Sequence, residues 1–247
     1  MERHIVCLSF DFDAFSGWIA RGLTTPTPMS RGEFGATGVK RILALLSKHN
    51  IISTWFIPGI TIKTYPDLCR QIAESGHEIG NHGWTHTPPT QLNPDVESKD
   101  LLRANETIQS LCDGPVRGYR SPSWDLSPHT IEFLLNSDFI YDSSMMGNDY
   151  LPYRARLDDK ISSDGIVEFG PHTTLIEMPV SWSLDDYPYF EFVRTENTVL
   201  PGLANATNVL EKWINDFVYM QKTESWGILT YTFHPFVIGR GHRMIIL

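Results

Sequence analysis

Two carboxylates near the amino terminus are the first residues with catalytic potential, Asp11 and Asp13 in the segment SFDFD. Side chains alternate along a β-strand, so a strand would place both acids on one face and Phe10 and Phe12 on the other. A buried, unpaired carboxylate is costly, and such a pair requires a cation, an arginine or solvent. This segment alone is as compatible with two solvated acids at a strand end as with a metal site.

A second segment with catalytic potential, GHEIGNHGWTHTPP, carries His82 and His86 four residues apart, directly after a predicted strand. Neutral imidazole is a common ligand of zinc and similar ions. Two histidines and one carboxylate leave coordination positions open for water and substrate, which is typical of a catalytic rather than a structural site. The H-x-x-x-H spacing is weak evidence by itself, and His77 is interpreted as a structural residue.

Two later segments add charged groups after predicted strands. Arg120, in GYRSPSW, can pair with Asp11 and hold that carboxylate ionised, although a surface ion pair would contribute little. His234, in TYTFHPF, can serve as general acid for a departing amine, with Asp185 or Asp186 as the carboxylate that orients it. Each group alone is more simply structural, but together they stand at successive strand ends, where barrel enzymes build their sites.

The elements that would position these groups alternate between strand-like apolar runs and stretches of helical period, which indicates an α/β protein with a largely parallel sheet or barrel. Residues 148–170 break the pattern and are predicted to form a surface excursion or a two-stranded flap. Residues 1–247 are expected to form a single domain. The predicted strands are 5–10, 51–57, 76–80, 118–120, 139–142, 175–179 and 227–233, and the predicted helices are 38–50, 67–75, 96–112, 127–136 and 206–222.

Composition limits the partners and the compartment. A formal net charge of -9 argues against nucleic acid or an anionic membrane as a partner, because both require a basic surface. A small-molecule substrate fits better. The amino terminus has no signal-peptide pattern, and the three cysteines are odd in number and far apart, so a cytoplasmic protein with reduced thiols is expected.

In their order along the chain, these motifs resemble those of the polysaccharide deacetylase family, also called the NodB-homology or carbohydrate esterase family 4 group. SRGEFG, STWFIPG and the WSLDD stretch resemble more particularly its intracellular peptidoglycan-deacetylase and cyclic-imidase branch. The family's usual aspartate motif has adjacent acids, whereas Phe12 separates them here. The matching segments are SFDFD at 9–13, HGWTH at 82–86, RSPSW at 120–124 and TFH at 232–234.

The resemblance implies an irregular (β/α) barrel with fewer than eight strands, assembled as a homotetramer. It also implies one divalent metal, expected to be zinc, with nickel, cobalt and iron as alternatives. The implied metal ligands are Asp13, His82 and His86. The implied catalytic groups are Asp11 as base, Arg120 as its tether, His234 as acid and Asp185 or Asp186 as the partner of the acid. The backbone N–H of Ser123 would hold the oxyanion, and Trp124 is either a core aromatic, the safer interpretation, or a pocket wall.

The expected activity is metal-dependent hydrolysis of a carbon–nitrogen amide bond, with N-deacetylation of an acetylated amino sugar as the leading hypothesis. Hydrolysis of a cyclic imide or ureide, as by an allantoinase, stays open because the loops at 15–33 and 145–172 cannot be interpreted from sequence. A catalytically silent protein that binds a carbohydrate or small ligand is the alternative of another class. Family members continue past GRGHRMIIL with a helix and a last strand, which this chain is expected to lack.

Overall fold

The computed structural model of the protein describes residues 3–112, 114–194 and 199–247. Its strands are β1 (His4–Asp11), β2 (Thr54–Ile57), β3 (Glu78–Asn81), β4 (Gly118–Tyr119), β5 (Tyr141–Asp142), β6 (Tyr153–Arg156), β7 (Lys160–Ile161), β8 (Val167–Glu168), β9 (His172–Glu177), β10 (Phe192–Arg194), β11 (Val199–Pro201) and β12 (Gly227–Phe233). Its helices are α1 (Ser16–Ala20), α2 (Pro26–His49), α3 (Gly59–Thr64), α4 (Pro66–Glu74), α5 (Pro94–Gln109), α6 (Thr130–Asn136), α7 (Tyr187–Phe190), α8 (Ala206–Thr223) and α9 (Pro235–Ile238).

The main sheet has the strand order β12-β1-β2-β3-β4-β5-β9-β6. From β12 to β9 every neighbouring pair is parallel, and β6 pairs antiparallel with β9 at one edge. Seven of these eight strands are therefore parallel, which confirms the predicted irregular α/β barrel. Fewer than eight strands were expected, and the antiparallel β6 brings the sheet to eight. The antiparallel eighth strand was not predicted, because it lies within the segment 148–170, whose pattern is irregular.

The two edge strands of the sheet are β12 and β6. In the described part of the chain no further strand joins them, and irregular segments lie between them instead. The N–H of Ile228 in β12 donates to the carbonyl of Tyr150. Near the other end of β12, Asp185 forms an isolated parallel bridge with Thr232. The segment that carries Asp185 is therefore held against β12, directly before His234.

Alternation along β1 separates the apolar core from the polar interior of the barrel. Phe10 is fully buried and stacks on Trp55 of β2, with ring centroids 4.6 Å apart. On the opposite face, the Ser9 hydroxyl donates to the Tyr231 carbonyl at 2.8 Å. The predicted alternation is correct, and it directs the side chain of Asp11 into the barrel.

Helix α2 begins at Pro26, well before the predicted start at Gly38. Its early residues include Gly32 and Gly35, which disfavour a helix by intrinsic propensity. Both glycines are buried: a side chain at Gly32 would overlap the backbone of Phe15, and one at Gly35 would crowd Phe12. Tertiary packing therefore overrides propensity, and much of the stretch 15–33 expected to be loop is helical.

Asparagine caps fix the starts of the two long later helices. The Asn93 side chain accepts the N–H of Val96 at the start of α5, and Pro94 occupies the first turn, where its missing N–H costs nothing. Asn205 accepts the N–H groups of Thr207 and Asn208 at the start of α8. None of the helices described is both long and apolar enough to cross a membrane.

The irregular segment 148–170 contains the two-stranded flap that the sequence suggested as one alternative, and also a strand of the main sheet that was not predicted. Strand β6 joins the main sheet, while β7 and β8 form a separate antiparallel hairpin. This hairpin is exposed, and Ile161 and Phe169 are 75% and 72% accessible.

Candidate active site

The candidate site lies at the carboxyl ends of parallel strands, as the order of the motifs predicts. Strands β1 and β12 pair in register up to Phe10 and Phe233, so Asp11 and His234 follow at the same level of the sheet. His82 comes directly after β3, and Arg120 directly after β4. Residues that are distant in sequence therefore meet at one edge of the sheet.

Three of these side chains form a compact group with the donor set of a metal site. Asp13 Oδ1 lies 3.4 Å from His82 Nε2, and Asp13 Oδ2 lies 3.3 Å from His86 Nε2. In a tetrahedral zinc site with bonds of about 2.1 Å, donor atoms stand about 3.4 Å apart. Asp13 Oδ1 and His82 Nε2 are buried and have no hydrogen-bond partner. A cation bound among them would satisfy both atoms, so these residues fit a divalent metal.

Local backbone geometry aims the two histidines. After β3, the Asn81 side chain accepts the N–H of Gly83 at 2.8 Å and donates to Asn105, which fixes the turn that carries His82. His86 has a φ of 61°, a left-handed conformation that is costly for a histidine. Such strain is typical of functional sites.

Protonation states in the group suit metal binding. His82 Nδ1 lies 2.7 Å from the Arg120 carbonyl, to which it can only donate, so Nε2 carries the lone pair that faces Asp13. Burial lowers the pKa of His86 to about 4, although Asp13 opposes this shift. Burial also opposes charge on His82, but Asp11 and Asp13 raise its pKa overall. Burial likewise opposes ionisation of Asp13, yet His86 and His82 hold its pKa well below the usual range.

Asp11 is paired with Arg120 in a buried setting, so the alternative of a surface ion pair is wrong. Arg120 Nη1 lies 2.8 Å from Asp11 Oδ1, and Arg120 is fully inaccessible. The guanidinium also donates to Ser9 Oγ and to both the carbonyl and the hydroxyl of Ser143. The second oxygen of Asp11 lies 3.8 Å from His82 Nε2 and therefore faces the candidate metal group.

His234 is held by Asp186, which distinguishes between the two acids that the sequence left open. Asp186 Oδ1 lies 2.7 Å from His234 Nδ1, and the Asp186 carboxylate also accepts the backbone N–H of His234. Asp185 Oδ1 is more distant from Nδ1, at 3.6 Å, and accepts the N–H of Tyr187. The other ring nitrogen of His234 points toward Asp13, with Nε2 3.8 Å from Oδ2.

The two acids also set the charge of His234. Burial opposes the charged imidazolium, but Asp185 and Asp186 raise the pKa of His234 well above its ordinary value. Burial raises the pKa of Asp185 to about 7, although the charge of His234 opposes this shift. The two carboxylates therefore favour the protonated imidazolium, the state that a general acid requires.

Ser123 and Trp124 lie in a tight turn at the pocket. Both have left-handed backbone angles, with φ of 58° and 54°. The Trp124 ring packs 4.2 Å from the Trp182 ring, and both rings line the pocket. The safer interpretation of Trp124 as a core aromatic is therefore wrong, because its side chain is only half-buried.

The pocket that contains these groups has a volume of about 610 Å³ including its open mouth. Trp18, Tyr187 and Phe236 add aromatic wall, and Arg21 adds a cation. The sequence analysis missed Arg21 and Tyr187. A helix predicted over 16–20 would have indicated Arg21. It places Arg21 one turn after Gly17, and Gly17 lies beside His86.

Comparison with known proteins agrees with this geometry. The sequence model of the polysaccharide deacetylase family matches residues 6–138. A peptidoglycan deacetylase of Helicobacter pylori is 33% identical over 255 residues, which cover 98% of this chain and 87% of that protein. The chain belongs to the polysaccharide deacetylase family. This family consists of metal-dependent hydrolases that act on carbon–nitrogen bonds other than peptide bonds.

Solved structures of other proteins share the fold. A Mycobacterium smegmatis protein assigned to the polysaccharide deacetylases is 31% identical, with a TM-score of 0.86 over 99% of this chain and 81% of that one. Puue allantoinase superimposes with a TM-score of 0.79 over 99% of this chain and 82% of that one, at 20% identity. The second likeness concerns the fold alone.

Proposed function

We propose that this polysaccharide deacetylase family member removes the acetyl group from an N-acetylated amino sugar by metal-dependent hydrolysis. One observation supports the proposal: two groups lie beside the candidate metal ligands Asp13, His82 and His86. One is the Asp11 carboxylate, which Arg120 holds, and the other is the His234 imidazole, which Asp186 holds. Asp11 Oδ2 lies 3.8 Å from His82 Nε2, and His234 Nε2 lies 3.8 Å from Asp13 Oδ2. Amide hydrolysis needs one base for water and one acid for the leaving nitrogen, and the pocket offers both.

The residues have complementary roles in this proposal. Asp13, His82 and His86 would hold the metal, which supplies Lewis-acid polarisation of the amide carbonyl and a more acidic water. Asp11, aimed by Arg120, receives the proton of the attacking water. His234 donates its proton from Nε2 to the departing nitrogen, since Nδ1 is bound to Asp186.

Two further residues shape the position of the substrate. We propose that the backbone N–H of Ser123 donates a hydrogen bond to the substrate carbonyl oxygen, because Ser123 lines the pocket in a turn with left-handed backbone angles. Trp124 and Trp182 offer aromatic faces on which an apolar face of a sugar ring can lie. Both assignments rest on position in the pocket.

Ring opening of a cyclic imide or ureide is the second candidate. The observation in its favour is the aromatic wall, because rings from four separate parts of the chain enclose the pocket. These rings are Trp18, Trp124, Trp182 and Phe236. The silent-binder alternative has no such support, since the acid, the base and the candidate ligands are all assembled.

An assay with both substrate classes tests the proposal. Acetate release from N-acetylglucosamine oligomers and ring opening of cyclic imides are measured with zinc, nickel or cobalt added. We expect acetate release that falls by at least about 100-fold in Asp11→Asn, because the proton acceptor is lost. Asp164→Asn, on the exposed hairpin, serves as the matched control. Ring opening without acetate release would favour the second candidate, and neither activity would contradict both.

Some expectations stay predictions. Zinc is the expected metal, with nickel, cobalt and iron as alternatives. The cytoplasmic location, the homotetramer and the single domain over residues 1–247 are proposed from the sequence and the family resemblance.

A further inference from the structure

Arg21 lies at the mouth of the pocket, at the end of α1. Four residues earlier on the same helix, Gly17 faces the metal group, since a Cβ there would stand 3.6 Å from His86 Nδ1. Residues four apart on a helix have Cβ atoms about 5–6 Å from each other. Arg21 and His86 both line the same pocket. A group bound to Arg21 would therefore share this pocket with the reacting amide.

Asp11 and His234, which also line the pocket, each have an ion-pair partner behind it. Asp11 pairs with Arg120, and His234 with Asp186. Across the described ranges no carboxylate pairs with Arg21, whose Nη1 instead lies 3.5 Å from the Tyr187 hydroxyl. By contrast, the nearby Arg31 forms an ion pair with Glu191.

The four carboxylates at the site, those of Asp11, Asp13, Asp185 and Asp186, have partners other than Arg21. Each lies in ion-pair range of Arg120 or of a histidine. Arg21 is exposed and adds one further positive charge on the side from which a substrate enters.

We propose that Arg21 binds an anionic substituent of the substrate, so that the preferred substrate is an N-acylated amino sugar that carries a carboxylate or a phosphate. This inference rests on the proposed deacetylase function and names its substrate class. A guanidinium binds either oxyanion through two parallel hydrogen bonds. The Tyr187 hydroxyl, beside Nη1, is placed to donate a third.

Three matched substrates test the inference: N-acetylglucosamine, N-acetylmuramic acid and N-acetylglucosamine 6-phosphate. The wild-type protein should have a kcat/KM about tenfold higher for one of the two acidic sugars than for the neutral one, mainly through a lower KM. The acidic sugar that gains identifies carboxylate or phosphate as the recognised group. In Arg21→Gln the ratio of acidic to neutral kcat/KM should fall to about one, and Arg21→Lys should restore part of it. Arg70→Gln, an exposed arginine paired with Asp67, should keep the wild-type ratio.

Equal kcat/KM values for all three sugars, or a ratio that Arg21→Gln leaves unchanged, would overturn the inference and leave the deacetylase proposal standing. If the wild type hydrolyses none of these sugars, calorimetric binding to Asp11→Asn decides about Arg21, and the deacetylase proposal fails only if N-acetylglucosamine oligomers also release no acetate. Tighter binding of an acidic sugar that is lost in the Asp11→Asn, Arg21→Gln double variant supports anion recognition. Equal affinities for the acidic and neutral sugars overturn it.

Discussion

Asp11 and His234 are each held by a buried ion-pair partner of their own. Arg120 approaches Asp11 to 2.8 Å, and Asp186 approaches His234 to 2.7 Å. Burial opposes the charged form of His234, but Asp185 and Asp186 raise its pKa, because the interior of the barrel screens charge poorly. The same partners fix which atoms of the two side chains face the candidate metal group. Arg120 therefore orients Asp11, and Asp186 both orients His234 and favours its charged form.

The substitution Asp186→Asn tests the electrostatic part of this arrangement. Asp185 and Asp186 raise the pKa of His234 against the effect of burial, so removing one carboxylate destabilises the imidazolium and lowers that pKa. A general acid acts in its protonated form, and activity falls as the pH rises through its pKa. The alkaline limb of the kcat/KM profile should therefore move to lower pH in Asp186→Asn. An unchanged alkaline limb, with Asp164→Asn as control, would show that His234 is not the acid.

At the scale of elements, a row of glycines on α2 positions two catalytic segments at once. Gly32 and Gly35 lie against the segment that follows Asp13, and a side chain at Gly38 would overlap the carbonyl of Pro235, directly after His234. Helix α2 can approach both segments closely only because this face has no side chains. The same glycines hid the start of the helix from the sequence analysis.

Gly38→Ala should therefore destabilise the fold by about 1–3 kcal/mol, the usual cost of overpacking, and lower kcat/KM by displacing His234. Urea unfolding and kinetics measure the two effects. Gly241→Ala is the matched control, because an added Cβ there meets open space. Wild-type stability and activity in Gly38→Ala would contradict the close packing of α2 against the segment after His234.

A second element-scale feature is a pair of buried carboxyl groups at the ends of β5 and β9, Asp142 and Glu177. Glu177 accepts the N–H groups of Ser144 and Met145, at 2.8 and 2.7 Å. The Ser144 hydroxyl donates to Asp142. This loop also carries the serine that holds Arg120, so the pair supports the tether of the base. Burial and the charge of Asp142 raise the pKa of Glu177 well above its usual value.

The raised pKa of Glu177 gives Glu177→Gln a pH-dependent effect on stability. Above the ordinary glutamate pKa of 4.5, the unfolded wild type releases this proton and the folded protein retains it, so stability falls as pH rises. Gln keeps an oxygen for the two N–H groups and an N–H for Asp142 without titrating. The free energy of unfolding of the variant should therefore increase relative to wild type between pH 5 and pH 8, as measured by urea unfolding. A difference that does not change with pH would contradict a protonated Glu177.

At the scale of the whole molecule, the parallel sheet gathers residues from both ends of the chain. Asp11 and His234 are neighbours because β1 and β12 pair in register. The candidate ligands come from two separate segments, so the metal site exists only in the folded chain. Metal binding should accordingly stabilise the fold.

Sequence patterns predicted the buried framework better than its supporting contacts. The bounds of β12 agree with the prediction of 227–233, because GILTYTF is rich in β-branched and aromatic residues and a proline follows soon after it. The choice between Asp185 and Asp186 could not be made, since two consecutive acids in an irregular segment have no periodicity to distinguish them. The support of Arg120 by Ser143 also depends on contacts between distant residues.

The central claim is that Asp13, His82 and His86 hold a catalytic divalent metal, and metal content tests it most directly. Elemental analysis after incubation with zinc, nickel or cobalt and removal of the excess should find about one metal per chain in the wild type. Asp13→Asn and His86→Ala should lose the metal together with the hydrolytic activity, whereas Asp164→Asn should keep both. Wild-type protein that retains none of these metals, or ligand variants that bind metal as the wild type does, would contradict the account.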